Sequence, residues 1–185
     1  SKKDLVLHDV RKFGRVWHGK VEKILKAPYF LKLGRDPLKI SFPVFKAVLH
    51  KHKGMIKPLL LRQDVFSGVG NIVTDESLWK AKIHPQKKIE NFNEGDFRNL
   101  WLALRFVLLR SIRLGGTTMR DWLRPDSSSG KYWLKRLVYQ RHGQKCKRCG
   151  AIINRIKVSS RGTSFCPKCQ KQKLSHQSMY QVLVR

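Results

Sequence analysis

The chain of 185 residues carries 40 Lys and Arg against 12 Asp and Glu, a formal net charge of +28. A compact domain with that imbalance repels itself, so a polyanionic partner is expected, and nucleic acid comes first because neutralised phosphates release counterions. Hydrophobic residues at 41% exclude a wholly disordered chain, and no apolar run approaches the roughly 20 residues of a membrane-spanning helix.

In chain order, "LVLHDVRKFGRVWHG" (residues 5–19) alternates weakly and predicts two strands, a short β-rich segment within residues 1–40. The pattern then turns helical over residues 41–140. Phe42, Phe45, Val48 and Leu49 fall at helical spacing before Gly54, and a second helix is predicted from Met55 to Arg62. "SGVGN" follows, and then a helix with Ile72, Leu78 and Trp79 inward, stopped near His84 and Pro85. Gly68 and Gly70 permit positive φ in that turn, and the helix after it points free N–H groups outward, as an anion site does. Asn71 can add an amide donor to the same phosphate. The longest helix is predicted from Glu94 to Arg113, with Phe97, Leu100, Trp101, Leu104, Val107, Leu108 and Ile112 on its apolar stripe and Gly115–Gly116 ending it. "TTMRDWL" predicts another short helix with Thr117 or Thr118 as N-cap.

All four cysteines fall in one stretch, Cys146, Cys149, Cys166 and Cys169, spaced C-x2-C-x16-C-x2-C. Two CxxC knuckles joined by a hairpin-length spacer predict one tetrahedral Zn²⁺ in residues 141–172, structural because four thiolates leave no open position. Two disulfides are the competing reading, disfavoured by the basic flanks and the lack of a hydrophobic signal segment. Ile153, Ile156 and Val158 suit a strand, and "SSRG" (159–162) supplies a turn that presents Arg161 to a phosphate or groove. A basic extension occupies residues 173–185.

These stretches together resemble the formamidopyrimidine-DNA glycosylase / endonuclease VIII (Fpg/Nei) family. "IKPLLL", "GVGNI…ESLWKAKIHP" and "LLRSIRLGGTTMRDW" are similar to its helix–two-turn–helix domain, and the cysteine ribbon with "RGTSFCPKCQ" to its zinc finger. "HDVRKFG" resembles its "DPRRFG" segment, with Val10 where proline is usual. The implied fold is mainly α: a helix–two-turn–helix domain, then a four-cysteine zinc-ribbon β-hairpin, after a short β-rich remnant of an N-terminal β-sandwich. The resemblance implies phosphate contacts by Lys57, Asn71 and Arg161, and base-stack insertion by Arg11 and Phe13. It matches Glu76 to a family acidic residue, and Gly115 to Thr118 with "DSSSGKYW" to a loop covering an everted base.

Three departures stand against that pattern. The family's N-terminal Pro, whose amine attacks the sugar, its Glu and a later Lys have no match in this sequence, which opens on Ser1. Val73 replaces a usual Tyr, and "GKYW" a usual "PGYF". An initial Ser reads as a removed targeting peptide or a fragment. The leading expectation is therefore a non-catalytic phosphate-backbone binder. It would be a structural part of a large ribonucleoprotein such as a mitochondrial or other organellar ribosome, sited in the organellar matrix with rRNA and neighbouring proteins as partners. The alternative is a DNA glycosylase and AP lyase of base-excision repair, represented by its DNA-binding part, in the nucleoid or cytoplasm. A third reading is a damage-site shield or partner-docking module.

Overall fold

A computed structural model describes Asp9, Lys12 and residues 14–117 and 129–172. The chain divides into two compact units, residues 1–33 and 34–185. In the first, α1 (Val21–Leu25) and α2 (Pro28–Leu31) are short helices without buried residues. Trp17 stacks on Tyr29 at 5.3 Å and meets Phe30 edge-on at 5.1 Å. No strand occurs among the described residues of this unit, which include Asp9, Lys12 and residues 14–19 of the stretch predicted as strands. Pro28 opens α2, where its preset φ suits the first turn of a helix.

The second unit begins at Gly34 and holds the remaining elements. These are α3 (Phe42–His50), α4 (Ile56–Leu60), α5 (Asn71–Ala81), α6 (Glu94–Arg113), and the antiparallel strands β1 (Asn154–Val158) and β2 (Arg161–Phe165). Its main core draws Phe45 and Leu49 from α3, Leu60 from α4, Phe66 from the following loop, Leu78 from α5, and Phe97, Leu100 and Leu104 from α6. Asn93 and Asp96 close the start of α6 with a reciprocal capping box. Its predicted stripe holds except at the end, where Ile112 is 63% exposed. Among the described residues no helix is long and apolar enough to cross a membrane.

Gly34 threads the loop after α4. Its N–H donates to the Gln63 carbonyl at 2.7 Å, and a Cβ there would stand 2.3 Å from the Val65 carbonyl carbon. Rigid backbone on both sides cannot yield cheaply, so Gly34→Ala should lower stability by about 3 kcal/mol, read as an earlier urea midpoint with an unchanged m-value.

Candidate nucleic-acid interface and its zinc centre

The turn before α5 uses its glycines differently from one another. Gly68 takes positive φ (+78°), as its sequence predicts, but Gly70 is extended at φ −97° and is the N-cap of α5. No side chain caps that helix end, and a Cβ on Gly70 would meet nothing of the protein within 4 Å. The missing side chain leaves open space in front of the first turn of α5.

Asn71, Asp75 and Trp79 follow at four-residue intervals, which places them on one face of α5. All three hold the zinc-binding segment. Asn71 Nδ2 donates to the Gly162 carbonyl at 3.2 Å, the Ser164 N–H donates to Asp75 Oδ2 at 3.0 Å, and Trp79 Nε1 donates to Cys146 Sγ at 3.4 Å. Glu76, beside them, is buried and its carboxylate accepts from the backbone N–H groups of Leu137, Val138 and Tyr139 at 2.7–2.9 Å. Burial and the Glu76 charge push the phenol of nearby Tyr132 upward. At the far end Arg148 donates to the carbonyls of Trp79 and Lys80, the first of which also accepts from the C-cap N–H of Lys82. Gln170 Nε2 donates to the Ile83 carbonyl. The finger is thus bolted to α5 along its whole length.

Lys57 departs from its sequence expectation as a phosphate-gripping residue. Its side chain is fully buried, and its ammonium pairs with Asp75 at 2.5 Å and donates to the Gly162 carbonyl at 3.3 Å. Burial lowers its pKa, against the attraction of Asp75, and the Arg161 charge lowers it further. A cation at the surface of the N-terminal turn of a helix would reach a phosphate; this one lies beneath, because α4 turns it toward the carboxylate of α5. Lys57 and Asn71 both hold the Gly162 carbonyl, so Lys57 is a positioning residue for the hairpin.

Arg161 is exposed and opens β2, paired across the hairpin with Val158. Ser159 and Ser160 form the turn with φ of +44° and +65°, the two left-handed positions of a type I′ hairpin. Beside Asn71 and Gly162 lies a cleft of about 390 Å³, lined also by Tyr139, Gln140, His142, Arg155 and Ser164. The sequence reading missed these. Arg155 was legible, since it stands opposite Ser164 in the register that the turn fixes. Arg11 and Phe13, and residues 118–128, which include part of the loop matched to base covering, lie outside the described residues.

The four cysteine sulfurs lie within 4.8 Å of one another, with Cys146–Cys169 at 4.0 Å and Cys149–Cys166 at 3.4 Å. Those separations are too long for disulfides and bracket the roughly 3.8 Å edge of a tetrahedron with 2.3 Å Zn–S bonds. The set fits one structural zinc ion, held by four thiolates.

Residues 33–122 match the family model described as the formamidopyrimidine-DNA glycosylase H2TH domain, and residues 143–172 the zinc finger found in FPG and IleRS. The chain is 41% identical over 172 residues to formamidopyrimidine-DNA glycosylase of Lactococcus lactis subsp. lactis, covering 91% of this chain and 62% of that protein. It resembles the crystal structure of MutM (Fpg) from Thermus thermophilus with a TM-score of 0.78 and 38% identity, over 90% of this chain and 64% of that one. The Lactococcus lactis Fpg complexed with DNA containing an abasic site gives a TM-score of 0.74 at 40% identity, over 82% and 56%. The chain therefore spans about three fifths of the length of the curated relatives it matches. These matches overturn the expectation of a ribosomal component with rRNA and ribonucleoprotein partners. Relatives about 40% identical across some nine tenths of the chain are named as DNA glycosylases. The charge that suggested RNA reports only a polyanion, because phosphate contacts carry no base or sugar identity. With its H2TH domain, its four-cysteine finger and these relatives, the chain belongs to the C-terminal region of the Fpg/Nei family.

Proposed function

We propose that this chain is the DNA-gripping part of a formamidopyrimidine-DNA glycosylase and serves base-excision repair by holding the backbone of a damaged duplex. The observation that carries this reading is the shared hold on Gly162. Asn71 and buried Lys57 fix that carbonyl, which sets Arg161 beside the open N-terminal turn of α5. The space left by Gly70 admits a phosphate to backbone N–H groups, while Arg161, Arg155 and the Asn71 amide supply further donors around the cleft. The glycosylase and lyase chemistry that the resemblance assigns to an N-terminal Pro and Glu has no counterpart among the residues of this interface. The nucleoid is the compartment that goes with this reading.

Fluorescence-anisotropy titrations at fixed salt, on duplexes with and without an abasic-site analogue and on duplex RNA, test it. The abasic duplex should bind tightest. Arg161→Ala should weaken binding to both DNAs and reduce the slope of log K against log salt by about 1, with the urea midpoint unchanged. Equal affinity for RNA, or an unaltered salt slope in Arg161→Ala, sinks the assignment.

A further inference from the structure

The zinc centre has a donor from outside its own knuckles. Trp79 is 6% exposed and Cys146 3%. The indole N–H reaches Cys146 Sγ across 67 positions of sequence. A buried indole N–H is costly to leave without an acceptor, and for Trp79 the Cys146 sulfur supplies it. A sulfur is a weak acceptor as a neutral thiol. As a zinc-bound thiolate it carries charge, and the hydrogen bond becomes charge-assisted. The Arg148 guanidinium lies 3.9 Å from the Trp79 ring centroid while its arms hold the carbonyls of residues 79 and 80. Arg148 belongs to the first knuckle, between Cys146 and Cys149. One knuckle thus clasps one tryptophan from two sides, by thiolate at the indole N–H and by cation over the ring.

We infer that Trp79 is an outer-shell donor that holds and tunes the Cys146 thiolate on zinc, with Arg148 fixing the indole, so that the metal and α5 are mechanically one piece. The same face of α5 carries Asp75 and Asn71, which hold the hairpin, so metal occupancy is transmitted to the residues beside Arg161.

The first test needs no substitution. In the full chain loaded with ¹¹³Cd²⁺, the Trp79 indole proton should show a through-hydrogen-bond coupling to cadmium; absence of that coupling overturns the inference. Trp79→Phe keeps an aromatic ring and removes the N–H. Loaded with Co²⁺, it should show a thiolate-to-cobalt charge-transfer band at longer wavelength than the parent, because the sulfur electrons are no longer drawn down by a donor. Its zinc affinity, by chelator competition, should fall about tenfold or more. An unshifted band with unchanged affinity overturns the assignment, and a general packing defect would leave the band in place. Arg148→Gln should speed solvent exchange of the indole proton, and unchanged exchange removes Arg148 from the arrangement.

Discussion

Asp75→Ala should destabilise the second unit by about 3–5 kcal/mol, because it strands the Lys57 ammonium in a site with no access to water. Asp75 is itself held by two donors, Lys57 at 2.5 Å and the Ser164 N–H at 3.0 Å. Burying such a pair is expensive, and removing one partner leaves the expense without the attraction. Lys57→Met with Asp75→Leu removes both charges, and urea denaturation at pH 7 should find it less destabilised than the two single changes summed, by about 2 kcal/mol or more. Strict additivity would mean that the two groups do not act as a pair. The same carboxyl sets a pH dependence. Burial is the largest influence on Asp75 and pushes it up to about 6, opposed by Lys57 and the Ser164 N–H. A folded-state value above the unfolded one means that the folded chain binds the proton more tightly. The stability this contributes is fully present below about pH 4 and is lost as pH rises through about 6. Between pH 5 and 7 the parent should therefore lose on the order of 1 kcal/mol relative to Asp75→Asn.

The zinc ligands and the hairpin between them are legible from the sequence, because metal chemistry dictates both the residue type and its spacing. The bounds of α6 are equally plain, since Asn93 and Asp96 announce its start and the apolar repeat carries it to Arg113. What sequence reasoning could not see is the inside of α5. Thr74, Asp75, Glu76 and Ser77 are buried in succession, although a polar run in a helix ordinarily marks a solvated face. The backbone donors to the two carboxylates come from some 60 to 90 positions downstream, and Lys57 from 18 upstream on another helix, so no local pattern identifies them. The four-residue spacing of Asn71, Asp75 and Trp79 was the available signal, and it acquires meaning only once the finger is known to lie along that face. The burial of Lys57 was illegible for the same reason. In a chain of charge +28, one lysine is indistinguishable from a surface cation until the carboxylate beneath it is found.

Stripping zinc with a strong chelator, or blocking the site with Cys166→Ser, should abolish specific DNA binding while leaving most of the helix content in place. Cys166 is fully buried and belongs with Trp79, Val138, Cys146 and Ile153 to a small apolar cluster separate from the main core. A hairpin of two five-residue strands is marginal by itself, and apparent zinc-binding energies of about 10–16 kcal/mol in zinc fingers are folding energies. Without metal the strands therefore separate, and Gly162, Ser164 and Cys146 leave the face of α5. Asn71 and Lys57 then have no carbonyl to hold, and Arg161 is no longer fixed beside the α5 turn. The main core, built from α3 to α6 and their loops, contains none of the four cysteines, so far-UV circular dichroism should change little. Affinity for the abasic duplex should fall by about a hundredfold or more, with two phosphate-directed arginines unplaced and the ordering of the hairpin now charged against binding. Native mass spectrometry would confirm loss of one zinc ion, and anisotropy would read the affinity. Tight binding by the metal-free chain would mean that the helices alone grip the backbone and that the bolted finger contributes stability without recognition.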